Sequence, residues 1–66
     1  MRNSIKEARQ QKRLTQAQLA DIVGVSRQTI ISIEICKYVP SVLLSIKISN
    51  VLGKNVEDLF WLEESD

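Results

Sequence analysis

The chain has no histidine, one cysteine, one proline, two glycines and three aromatic residues. Each scarcity closes a route. Without histidine there is no Ser-His or Cys-His pair, and a single thiol cannot build a zinc site. One cysteine forms no intrachain disulfide, so no oxidised framework staples the fold, and a reducing cytoplasm fits. The longest apolar run, Leu59-Phe60-Trp61-Leu62, is far too short to span a bilayer. The opening Met1-Arg2-Asn3-Ser4-Ile5-Lys6 lacks the apolar stretch of a secretion signal. With no glycine-rich phosphate loop either, neither an enzyme, a metal site, a cofactor nor a membrane partner is expected.

What remains is 66 residues, 44% hydrophobic and 26% charged, a composition that folds. Residues 1–66 read as one domain, since so short a chain cannot divide into two cores. A domain of this size buries only about 60% of its unfolded surface, so it gains from dimerisation. The net charge of +1 hides an asymmetry. Residues 1–54 carry all nine basic side chains and three acidic ones, whereas residues 55–66 carry five acids and no base. A basic body suits a polyanion, although charge alone fits a mixed solvated surface equally well.

The punctuation marks are Gly24, Pro40 and Gly53, and the pattern between them is helical. A first helix is expected over roughly 3–12, capped by Asn3 or Ser4, with Ile5, Ala8 and Arg9 on one face. A second opens at Thr15-Gln16-Ala17-Gln18, a capping box with Gln as the return partner, and ends at Gly24. Ser26 caps a third, running to about Ile35, with Ile30 and Ile33 inward. Ser41 caps a fourth, with Val42, Ser45, Ile46, Ser49 and Leu52 inward and Gly53 as its stop. Asn55 caps a short fifth, and Trp61-Leu62-Glu63 is read as extended.

Two helices joined around Gly24 read as a helix-turn-helix over about 15–35. Ala20 is small enough for close approach of the second helix, and Gly24 permits a sharp left-handed turn. Val25, Ile30 and Ile33 lock the second helix onto the first. That leaves Ser26, Arg27, Gln28 and Ser32 facing outward, and a major groove about 12 Å wide admits one such helix.

The chain resembles the Cro/C1-type (lambda-repressor-like, XRE) DNA-binding domains over about residues 4–60, and its length and ending look most like the short dimeric repressors of the cytolysin-repressor kind. The resemblance is carried by Leu14-Thr15-Gln16-Ala17-Gln18-Leu19-Ala20, Val23-Gly24-Val25-Ser26-Arg27-Gln28-Thr29-Ile30, Ile33-Glu34, Lys37-Tyr38, Pro40-Ser41 and Val51-Leu52-Gly53. It implies an all-α, five-helix fold with a small β-pairing of the two termini. It implies that Arg27, Gln28 and Ser32 read bases, and that Gln16, Ser26, Lys37 and Tyr38 hold phosphates, with Gln16 also orienting Gln28. Arg9 and Glu34 match the family's structural ion pair. Residues 55–66, through Phe60, Trp61 and Leu62, would build a homodimer.

The chain departs from the family where Asn-Gly usually follows the Glu, having Ile35-Cys36 instead. Neither residue suits a left-handed exit from the helix or a phosphate contact. Ile31, Val39 and Leu43 also fill places more often polar. With Ile35 they read as drift with partial burial, as a second protein interface, or, for Ile31, as a thymine-methyl contact. The expected function is sequence-specific double-stranded DNA binding by a cytoplasmic, homodimeric regulator, more a repressor than an activator. The rival is an antitoxin or adaptor that keeps the fold and binds another protein.

Overall fold

The computed structural model describes residues 1–66. Its elements follow the order β1 (Arg2–Asn3), α1 (Ile5–Gln11), α2 (Gln16–Val23), α3 (Arg27–Glu34), α4 (Val42–Leu52), α5 (Val56–Leu59) and β2 (Phe60–Trp61). The five helices and the small terminal sheet make an all-α, lambda-repressor-like fold. No helix is long and apolar enough to cross a membrane.

Local chemistry explains most boundaries. Thr15 Oγ1 accepts from the Gln18 N–H at 3.0 Å, and Gln18 Oε1 accepts from the Thr15 N–H at 2.8 Å, a complete capping box for α2. Ser26 and Ser41 accept from the N–H groups of Thr29 and Leu44 at 3.1 Å each, capping α3 and α4. At the start of α1 the work is divided. Ser4 holds the cap position but donates its hydroxyl to the Asp58 carbonyl, while Asn3 Oδ1 accepts from the Ile5 N–H. Asn55 precedes α5 without a side-chain cap bond. α2 ends at Gly24 with φ +80°. A β-carbon there would meet nothing within 4 Å, so backbone conformation rather than space requires the glycine.

Twelve buried side chains form one core drawn from all five helices and β2. Ile5, Leu19, Ile30, Ile33, Ile48, Leu52 and Leu59 are its largest fully buried members, each contributing about 1.5–3 kcal/mol of transfer free energy. α2 packs chiefly on α3 and α4. Ala20, 2% exposed, keeps the first of those contacts close, and Val25 is half-buried beside it.

The inner face of α4 differs from expectation. Leu44, Ser45, Ile48, Ser49 and Leu52 are buried, whereas Val42 and Ile46 are 77% and 46% exposed. Apolar residues lie on every side of Val42-Leu43-Leu44-Ser45-Ile46-Lys47-Ile48, so periodicity admits two registers. The buried serines cost little, because their hydroxyls donate to the Ser41 and Ile46 carbonyls at 2.9 and 2.8 Å.

β1 and β2 pair antiparallel, Arg2 opposite Trp61 and Asn3 opposite Phe60. Strand alternation then turns Phe60 inward and Trp61 outward. Phe60, 7% exposed, is therefore a core residue of the single chain. Trp61 and Leu62 remain 45% and 75% exposed.

Candidate nucleic-acid interface

α3 is held at both ends. At its start, the left-handed turn at Gly24 and the Ser26 cap set its direction, and Ile30 and Ile33 fasten its inner face. At its end, Glu34 sits in a polar cluster. Arg9 Nε donates to Glu34 Oε2 at 2.8 Å, and Arg9 Nη2 donates to Oε1 at 3.3 Å. Gln16 Nε2 donates to the same Oε1 at 3.0 Å, and Arg9 Nη1 donates to the Leu14 carbonyl at 2.9 Å. The side chains of Arg9 and Glu34 are only 9% and 5% exposed. One carboxylate thus ties α1, the first residue of α2 and the last residue of α3 into a single frame. Gln16 is engaged with Glu34, and no hydrogen bond joins it to Gln28.

Against this frame, the outer residues of α3 are free. Arg27 and Gln28 are exposed, and none of the chain's side-chain hydrogen bonds or ion pairs employs them. They lie at the helix N-terminus, where unpaired N–H groups and the positive end of the dipole favour anions. A hollow lies on each side. Arg27 shares one of about 490 Å³ with Arg9, Thr15, Gln16 and Ala17. Gln28 shares another of about 280 Å³ with Ser26, Thr29, Ser32 and Tyr38.

The expected contact residues therefore separate into two groups. Gln16 lies with Arg27, while Ser26, Ser32 and Tyr38 lie with Gln28. Ser32 is half-buried, and its carbonyl accepts from the N–H groups of both Lys37 and Tyr38, at 2.9 and 3.2 Å. That pair of hydrogen bonds anchors the stretch after α3, and Lys37 and Tyr38 stand exposed beside the helix. The Ser26 hydroxyl, by contrast, is occupied by its cap and by Thr29 Oγ1 at 2.9 Å. Thr15, Ala17 and Thr29 line these hollows too, residues the sequence marked for capping and family pattern and not for contact.

The exit from α3 takes the left-handed form despite the absence of glycine. Cys36 adopts φ +63°, with its N–H on the Ile33 carbonyl and the Lys37 N–H on the Ser32 carbonyl. Asn3 braces this turn from outside, donating to the Ile33 carbonyl at 2.9 Å and lying 3.7 Å from Cys36 Sγ. Beside it, Arg2, Lys6, Glu7, Glu34 and Glu63 line a further hollow that brings the acidic tail to the C-terminal end of α3.

The helix-turn-helix family model (HTH_3) matches residues 5–59. The chain is 46% identical over 66 residues to the "Uncharacterized HTH-type transcriptional regulator YgzD" of Bacillus subtilis (strain 168), with both chains covered in full. A second protein named as an HTH-type transcriptional regulator, from Methanothermobacter thermautotrophicus, is 48% identical over 65 residues, covering 97% of this chain and 94% of that one. A third, from Methanocaldococcus jannaschii, is 47% identical over 66 residues, again with both chains fully covered. Geometry and relatives agree: the chain belongs to the Cro/C1-type (XRE) helix-turn-helix family of transcriptional regulators.

Proposed function

We propose that the protein binds a pseudo-palindromic DNA operator in the cytoplasm as a homodimer and represses transcription from it. One observation carries this reading: Arg27 and Gln28 stand free and exposed at the N-terminal end of a helix whose other contacts are satisfied. Arginine suits guanine O6 and N7, and glutamine suits adenine N6 and N7. Ser32 lies one turn beyond Gln28 in the same hollow and adds a weaker contact. Lys37, Tyr38 and Gln16 supply phosphate contacts that set register without reading sequence. Ser26 contributes chiefly as the helix cap.

The dimer uses the open apolar surface of Trp61 and Leu62. Two recognition helices related by a two-fold axis would enter major grooves about 34 Å apart. The test is selection of bound sequences from random duplexes at two salt concentrations, with the complex sized by sedimentation. The expected result is two related half-sites about one helical turn apart, bound by two chains, with affinity falling steeply as salt rises. Absence of any enriched sequence would sink the reading. Ile35, Val39, Val42 and Leu43 are 56–77% exposed, which keeps the adaptor alternative specific. A stoichiometric protein partner without operator protection would establish that alternative.

A further inference from the structure

One side chain on the outer face of α3 has no role in the hydrogen-bonding scheme above. Ile31 follows Arg27 by four residues and Gln28 by three, so it adjoins both on the helix surface. It is only half-buried, while Ile30 and Ile33 of the same helix are 0% and 1% exposed and supply its core contacts. Being β-branched, Ile31 is held near one rotamer, a stiff apolar knob standing between two polar readers. At 1.5 Å per residue it lies roughly 5 Å further along the helix axis than they do, about one or two base-pair steps.

In the major groove, the apolar feature available to such a knob is the 5-methyl group of thymine. We propose that Ile31 packs on that methyl group, specifying an A·T pair next to the pairs read by Arg27 and Gln28. The proposal rests on the operator reading. It is confined to Ile31, because the next residue on this face, Ile35, lies beyond the last residue of α3 and borders the hollow that receives Glu63 of the acidic tail.

The test starts from duplexes recovered by selection with the intact protein. Each thymine is replaced singly by deoxyuridine, which removes one methyl group and keeps every hydrogen-bonding atom. The wild-type protein should lose about three- to tenfold in affinity at one thymine of each half-site, the worth of roughly one buried methyl or somewhat more. Ile31→Ala should be indifferent to that replacement while still responding to changes at the guanine read by Arg27. Ile31→Val, which keeps the β-branch, should respond by an intermediate amount, and its thermal unfolding checks that the fold is intact. Wild-type protein blind to every methyl, or an undiminished methyl response in Ile31→Ala, would overturn the assignment. A selection that yields no consensus overturns it as well, by removing the operator reading itself, and is distinguishable from a consensus that is merely methyl-blind.

Discussion

The two ends of α3 are built to opposite rules. At the C-terminal end nearly every polar group is occupied: Glu34 holds Arg9 and Gln16, Asn3 holds the Ile33 carbonyl, and Ser32 accepts two N–H groups. At the N-terminal end Arg27 and Gln28 have no partner in the chain, and only the Ser26 cap is closed. Both ends belong to an element of eight residues, so they lie only about 12 Å apart. The difference teaches where stiffness comes from. A reading head needs side chains that give up little on meeting DNA, on a backbone that does not shift beneath them. Saturating one end of the helix provides the second condition and leaves the first untouched.

Substitutions separate the two ends, and the largest effect belongs to the saturated one. Arg9→Ala leaves the Glu34 carboxylate buried without its cation, and should lower unfolding free energy by ~3–5 kcal/mol in denaturant titration. A loss under 1 kcal/mol would mean the frame does not depend on this pair. Arg27→Ala should do the reverse. It costs ~1–3 kcal/mol of operator affinity and relaxes one base position, while stability stays within about 0.5 kcal/mol. A loss spread evenly over all sequences would demote Arg27 to a phosphate contact.

Cys36→Gly probes the saturated end in the stabilising direction. The left-handed conformation costs a residue with a β-carbon roughly 1–2 kcal/mol, partly offset by the greater chain entropy of glycine. The substitution should raise stability by up to about 1 kcal/mol, read as a higher denaturation midpoint with unchanged slope. A drop would show that the contact with Asn3 outweighs the backbone term.

The smallest effect lies outside α3, where the Met1 amino group meets Asp66 at 2.8 Å on the surface. Hydrogen bonding to Asp66 raises the amino group above its ordinary 8.0, and hydrogen bonds from Glu63 and the amino group lower the Asp66 carboxyl below its ordinary 3.8. The carboxylate's contribution is present above 3.8 and is lost as pH falls through the lowered value. The amino group's contribution is present below 8.0 and is lost as pH rises through the raised value. Stability should therefore have a shallow plateau between these limits that Asp66→Asn flattens, and salt should erase the difference.

The reading of the sequence went furthest where one residue type has one physical use. Thr15 with Gln18, Ser26, Ser41, Gly24 and Gly53 mark helix ends because hydroxyls suit the cap and glycine takes a left-handed stop without a β-carbon penalty. The outward placement of Arg27 and Gln28 was legible from the turn before them. The face of α4 was not, because its apolar residues surround the axis and the choice between Ile46 and Ile48 depends on what α2 presents. The division of Phe60 to the core and Trp61 to the surface was not legible either, because adjacent strand positions point oppositely and a two-residue strand gives no period to count. The left-handed turn at Cys36 was hidden because the surrounding hydrogen bonds, rather than the residue itself, impose it.

The pairing of Arg2–Asn3 with Phe60–Trp61 has a consequence for synthesis. A nascent chain leaving the ribosome presents its first strand long before the complementary one exists. Asn3 can reach the Ile33 carbonyl in the interval, but its pairing with Phe60 must wait for α4 and α5, so the ladder closes late.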